Sequence, residues 1–264
     1  MNPLSTSQSS RDPTERFSDR VDDYVRYRPG YPPALVDYLH GHGALPRGGI
    51  VADIGSGTGI SSALFLDAGS TVYAVEPNAA MRAAAERWLG SRPQFHSIDG
   101  RAEATTLDDA SVDLVAAGTA FHWFFDREAV RAEFARILRP HNLVALFWNV
   151  RRLDTEFMRG YEQLLQSHCA EYSAVWSRER ANEASMKAFF GEGYVDSAAF
   201  ENAQSLDLDA LQGRLLSSSY APREGQPGHA PMIDALRALI GAHADNGRIA
   251  MHYDTRLYLG RLDR

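Results

Sequence analysis

Apolar positions along this chain recur with two periods that succeed one another regularly. Short β-prone apolar runs mark strands from Ile50 into Asp53, and at Thr71–Val75, Gln94–Ile98, Val112–Ala117, Leu143–Asn149, Tyr194–Ser205 and Ile249–Leu259. Between them, apolar residues three and four apart predict helices at 60–68, 78–89, 126–138, 208–216 and 231–244. A helical pattern also covers Leu153–Tyr172 and continues less clearly through Trp176. Near the start, Phe17, Val21 and Tyr24 share one helical face, and Pro29 pushes Arg28 into an extended turn past the helix end. A further helix, Tyr31–His40, begins at its prolines and stops at Gly41. Strands alternating with helices predict an α/β domain with a parallel sheet.

The first strand runs into glycines at 55, 57 and 59, a turn without side-chain bulk that lets a ligand approach the backbone. The second ends in Glu76, an acid at the tip of a strand, which can accept two hydroxyl hydrogen bonds from a ribose. This layout suits a nucleoside and leaves two ligand classes open. A dinucleotide fingerprint has GxGxxG spacing, whereas here the spacing is GxGxG with Asp53 two residues ahead. An acid at that point repels a pyrophosphate and attracts a cation.

Composition narrows the choice. Net charge is −7, from 27 basic and 34 acidic side chains, and no clustered Lys or Arg run provides for a nucleic-acid partner. No apolar segment reaches the length of a membrane span, and the N-terminus has no signal-peptide core, so a cytoplasmic protein with no membrane partner is expected. The single cysteine, Cys169, rules out an intrachain disulfide and is expected to pack as a small apolar residue. Residues 1–14 are polar and rich in Ser, Thr and Pro, and read as a disordered tail.

Taken together, Asp53-Ile-Gly-Ser-Gly-Thr-Gly59, the Glu76-Pro-Asn78 turn and Gly100-Arg-Ala-Glu103 resemble the cofactor site of class I S-adenosylmethionine-dependent methyltransferases, closest to the small-molecule branch called type 11. Tyr24-Val-Arg-Tyr-Arg-Pro and Ala-Phe-His-Trp-Phe, at 120–124, resemble two further features of that branch. The resemblance implies a Rossmann-like seven-stranded sheet with helices on both faces and a helical cap formed by insertions. Residues 15–41 would be N-terminal lid helices, 42–150 the cofactor-binding core, and 151–264 the last strands with the cap. It also implies S-adenosyl-L-methionine as cofactor, S-adenosyl-L-homocysteine as product and no metal.

Several residue roles follow from the resemblance. Asp53 would serve the ammonium of the methionine arm, and Gly55, Ser56 and Gly57 would pass beneath it. Arg28 would take the methionine carboxylate or be a surface cation, with Tyr24 beside it. Glu76 and Pro77 would hold the ribose, and Met81 either lines adenine or packs in the core. Gly100, Arg101 and Ala102 would contact adenine, with Asp99 as the loop's usual acid and Glu103 pointing elsewhere. Thr119 and Ala120 would flank the methionine arm. His122 would be a general base, orient the acceptor, or pack structurally. Tyr27, Trp123, Trp148, Trp176 and Tyr220 would wall an acceptor pocket.

Members of the branch methylate carboxylates such as trans-aconitate, quinone precursors and heteroaromatic nitrogens, as in the azapteridine toxoflavin. The aromatic residues around His122 favour a planar nitrogen heterocycle over a small acid or phenol. An NAD-linked oxidoreductase and a noncatalytic nucleoside-binding protein remain as readings from other classes, and the oligomeric state is not legible.

Overall fold

The computed structural model describes residues 27–173 and 183–262. Seven strands, β1 (Ile50–Ile54), β2 (Thr71–Val75), β3 (Phe95–Ile98), β4 (Val112–Gly118), β5 (Leu138–Arg151), β6 (Tyr194–Leu206) and β7 (Ile249–Gly260), form one sheet in the order β3-β2-β1-β4-β5-β7-β6. β1 to β5 pair in parallel, and β7 runs antiparallel between β5 and β6. The seven-stranded α/β sheet expected from the sequence is present. Its order reverses between β1 and β4, and in open α/β sheets ligands bind beyond the carboxyl ends of the strands at such a switch point.

Strand pleating sorts side chains strictly by parity. Val51, Leu114, Ala116, Ala145 and Phe147 face α1 (Ala34–Gly41), α2 (Ile60–Asp67) and α3 (Ala79–Leu89). Ala52, Val115, Ala117, Val144 and Trp148 face α4 (Arg127–Ile137) and α6 (Glu183–Phe190). Both faces are therefore covered, as a parallel sheet requires. Helix starts are chemically marked: Asn78, Asp126 and Asp207 each accept from a backbone N–H one turn on.

A third apolar cluster belongs to the cap. α5 (Glu156–His168), α7 (Leu208–Leu216) and α8 (His229–His243) bury Met158, Leu165, Leu211, Leu236 and Tyr253 against the far ends of β6 and β7. Cys169 is buried there beside Met232, its Sγ 3.8 Å from Sδ. Among the described residues no helix is long and apolar enough to cross a membrane.

Two expectations change. Helix α1 carries Leu35 and Leu39 into the core under the sheet, so this part of the 15–41 segment is a structural layer and not a lid. The fifth strand, expected from Leu143, begins at Leu138 and takes in 139–142 as an irregularity, with His141 at φ +67° and the register slipping between Val112 and Leu114. The tail 1–14 and the helix carrying Phe17, Val21 and Tyr24 lie outside the described residues.

The third glycine of the turn is a packing residue. Gly59 caps α2 at φ +91°, and a Cβ there would stand 2.6 Å from Leu89 Cδ1 of α3. Gly59→Ala is expected to cost about 1–2 kcal/mol from left-handed strain alone. A fall in the midpoint of urea unfolding, with unchanged slope, measures it.

Candidate functional site

A cavity of about 470 Å³ opens at the switch point. Its floor is the turn after β1, one wall is the end of β2 and the loop after β3, the other wall is the tip of β4, and the roof comes from Arg28–Tyr31 and the cap.

The floor is tight by construction. Gly55 has φ +67°, and a Cβ there would lie 2.7 Å from Ala120 Cβ, so only glycine lets the turn pass under the β4 tip. Gly55 and Ser56 donate their N–H groups to Val75 O, at 2.8 and 3.2 Å, which ties the turn to the end of β2. Gly57 then donates to Glu76 Oε2 at 3.0 Å, and Asn78 N donates to Oε1 at 2.8 Å. Burial pushes the Glu76 carboxyl above its ordinary value, partly offset by these two N–H donors and by Arg82. Each oxygen keeps lone-pair capacity toward the cavity. Pro77, Met81, Arg101 and Ala102 continue this wall, and Ser56 and Gly57 lie on the floor.

Asp53 stands apart from the expectation. It is 0% exposed and does not line the cavity. Its Oδ2 accepts from Ser61 and Ser62 Oγ in the first turn of α2, at 2.7 and 2.6 Å, while Oδ1 has no hydrogen-bond partner. A ligand ammonium cannot reach a carboxylate that water cannot reach, so direct pairing is replaced by a buried charge one layer below the turn. Burial raises its pKa to about 6, against the lowering effect of the two serines.

Further assignments are corrected. Gly100 does not line the cavity; its Cα packs against Thr105 O and Val75, where a Cβ would come within 2.8 and 2.9 Å. Asp99 pairs with Arg82 at 2.9 Å on the surface, whereas Glu103 lines the cavity mouth. Trp148 is 3% exposed and packs edge-on to Phe121 and Tyr258. Its parity on β5 turns it toward α4 and α6, and Asn149, the next residue, meets the cavity instead. Tyr27 is likewise absent from the lining and lies against Gly213 of α7. Tyr24 and Trp176 lie outside the described residues.

The β4 tip brings Thr119, Ala120, His122 and Trp123 to the cavity. Thr119 is held at φ +53°, a strained left-handed conformation for a β-branched residue, with its N–H on Phe147 O at 2.8 Å and its Oγ1 2.9 Å from Tyr31 Oη. His122 is turned into a dry position. Burial, with the positive charges of Arg127 and Arg28 adding to it, pulls its pKa down to about 3, so the ring is neutral at physiological pH. Its ring centroid is 4.8 Å from that of Trp123. The roof brings Arg28, whose Nη2 donates to Ser217 O at 3.2 Å, together with Tyr31 and the cap residues Arg214, Ser219 and Tyr220.

Sequence reasoning missed Tyr31, Asn149 and Arg214. Only Arg214 had a local signal: it shares the buried stripe of α7 with Leu211 and Leu215, where an apolar residue belongs.

The residues suit an adenosyl nucleoside. Glu76 offers two partly engaged oxygens at the cavity wall, the Thr58 hydroxyl is buried at the cavity without a hydrogen-bond partner, and the space over Gly57 is open.

A family model described as "Methyltransferase domain" matches residues 52–146. An uncharacterised methyltransferase of Schizosaccharomyces pombe is 30% identical over 208 residues, spanning 76% of this chain and 77% of its own length. A solved structure from Anaeromyxobacter dehalogenans, described as a candidate type II methyltransferase, superposes with TM-score 0.69 at 27% identity, covering 89% of this chain and 98% of that one. At the level of fold alone, phosphoethanolamine N-methyltransferase 2 of Haemonchus contortus, solved with S-adenosyl-L-methionine, gives TM-score 0.57 at 14% identity over 96% of this chain and 59% of that one.

The buried Asp53 makes stability depend on pH. Its folded pKa of about 6 lies above the ordinary 3.8, so its protonated form is favoured by folding. That contribution is complete below about pH 3.8 and is lost as pH rises through about 6, amounting to about 3 kcal/mol at about 1.4 kcal/mol per pH unit. Asp53→Asn in the cofactor-free protein is expected to raise the melting temperature at pH 8 relative to the parent, with the gain shrinking toward pH 4. An equal shift at both pH values would contradict the buried charge.

Proposed function

Because the chain belongs to the class I S-adenosylmethionine-dependent methyltransferases, we propose that its acceptor is a small planar heteroaromatic molecule methylated on a ring nitrogen. When bound, S-adenosylmethionine supplies an electrophilic methyl group on a sulfonium, and the protein need supply no covalent nucleophile. Glu76 takes the ribose hydroxyls, Met81 and Ala102 sandwich the adenine, and the floor at Gly55–Gly57 runs beneath the methionine arm. Arg28 takes the methionine carboxylate bidentately.

The observation that carries the choice of acceptor is His122. A histidine pulled down to about 3 is a weak proton acceptor at neutral pH. Acceptors that keep a proton there, such as alkylammonium groups and phenols, would need a stronger base. A pyridine-type nitrogen already has its lone pair free. Tyr31, Trp123 and Tyr220 offer ring faces and edges suited to a flat partner, and the neutral His122 can orient it by a hydrogen bond. Net charge −7 favours a small partner over a nucleic acid. The work left to the protein is alignment in a water-poor pocket.

Calorimetric titration with S-adenosyl-L-homocysteine and, separately, NAD tests the reading: the first binds, the second does not. Tight NAD binding with no response to the nucleoside sulfide overturns it. Glu76→Gln is expected to weaken S-adenosyl-L-homocysteine binding by about tenfold or more, from the loss of charge-assisted hydrogen bonds.

The pH dependence of turnover follows from His122. Its depressed pKa leaves it neutral at every pH above about 4, so it contributes no inflection to kcat between pH 6 and 8. An inflection near 6.5 that disappears in His122→Asn would make His122 a general base and reopen phenols and amines as acceptors.

A further inference from the structure

Arg214 lies on α7 in the cap, 5% exposed, and lines the cavity. A guanidinium carries five N–H donors in a planar fork. Among the described residues its one hydrogen bond runs from Nη1 to Ser218 Oγ, at 3.4 Å, and Nε is buried without a partner. Among the described residues no carboxylate comes within ion-pair distance of it. Its neighbour Arg151 shows the contrast: that equally buried cation is held by Glu162 at 3.2 Å and by the Tyr172 hydroxyl. The arginine at the end of β5 is neutralised by the protein, and the one on α7 is not.

The distribution of acids around the cavity supplies the second observation. Among the described residues the carboxylates of the lining are Glu76 and Glu103, and both come from the sheet side, after β2 and β3. Among the described residues the cap side contributes Arg214, Ser219 and Tyr220, and no acid. A buried charge without a partner is unfavourable, so an arginine in this state is explained most simply by a counter-ion that arrives with the ligand.

We infer that Arg214 is the acceptor-binding residue of the cap and that the methyl acceptor carries a carboxylate, which docks on the Arg214 guanidinium and anchors the molecule. The inference rests on the methyl-transfer reading above and adds the chemistry of the acceptor's second end. One unpaired guanidinium matches one negative charge, and its planar fork matches the two oxygens of a carboxylate. A phosphate dianion would call for a second cation, and Arg28 is engaged with the methionine end. The anchored carboxylate is not the methylated group: with its lone pairs committed to Arg214 it is a poor nucleophile, and it fixes the distance from the cap to the reacting ring atom. The acceptor is thus a planar nitrogen heterocycle bearing a carboxylate.

The test uses the full chain saturated with S-adenosyl-L-homocysteine. Pyridine-3-carboxylate and quinoline-3-carboxylate are titrated calorimetrically against their carboxamides, with pyridine-3-phosphonate as a third arm. The acids are expected to bind about tenfold or more tighter than the amides, as a charge-assisted pair replaces a neutral one. Arg214→Met should bring acid and amide to near equality with S-adenosyl-L-homocysteine affinity unchanged, and Arg214→Lys should restore part of the preference. Equal binding of acid and amide to the parent protein, no binding of either acid, a preference that survives in Arg214→Met, or tighter binding of the phosphonate would each overturn the proposal. If Arg214→Met loses the nucleoside as well, the parent comparison and Arg214→Lys decide. Failure of the parent protein to bind S-adenosyl-L-homocysteine at all would instead overturn the methyl-transfer reading.

Discussion

The site depends on one carboxylate held by two backbone amides. Glu76 leaves β2 and receives the N–H of Gly57, from the turn after β1, and that of Asn78, from its own following turn. This is possible because β1 and β2 pair in parallel with Ile54 opposite Val75, which brings the two strand ends level. The same pairing continues one step beyond the strands through Gly55 N on Val75 O. A shift of one residue in this register would turn Glu76 to the opposite face and leave the turn without an acceptor. The glycines permit the turn, but strand register sets it against the acid.

Burial then decides what each ionisable group can do. Asp53, His122 and Arg214 are all withdrawn from water, with different results. The aspartate sits among serine hydroxyls below the floor, where it is a costly charge and a rigid support for the start of α2. The histidine becomes a neutral hydrogen-bonding ring. The arginine cannot give up its proton at any accessible pH, so its charge persists where no carboxylate of the described residues meets it. Three residues that look equally polar in sequence thus differ in their state: a buried carboxylate under serine hydroxyls, a neutral ring at the cavity, and a guanidinium proposed as an anchor.

What could be read in advance follows physical range. Strands, helices and the glycine turn were legible because periodicity and punctuation are local. Glu76 was legible because its partner lies one βαβ unit away at a spacing the fold imposes. Trp148 and Gly100 were misplaced by a single pleat or a single residue: at a strand tip, parity decides between core and cavity, and the run of apolar residues on both sides of Trp148 hides that parity. Glu103 and Asp99 exchanged roles for a similar reason, because Arg82 on α3 captures Asp99 from outside the loop. Tyr31, Asn149 and Arg214 come from three segments far apart in the chain, and no local pattern connects them. Their convergence is a product of β5 lying next to β4 and of the cap folding back over both.

That convergence divides the cavity into two kinds of wall. The sheet side is made of backbone turns locked by strand pairing, with its acids tied to main-chain N–H groups or to the mouth. The cap side is made of side chains on helices that have their own apolar cluster, joined to the sheet through the long β6–β7 pairing from Leu206 opposite Ile249 to Tyr194 opposite Gly260. Changes within α7 can alter what the cap presents without disturbing the register that holds Glu76, because the two walls share no core. A nucleoside site so constrained tolerates little variation, whereas the acceptor side can be rewritten one side chain at a time. Arg214 is where that freedom has been used in this chain: a cation placed on an otherwise apolar stripe, at a cost to the cap, has a physical reason only if an anion meets it there.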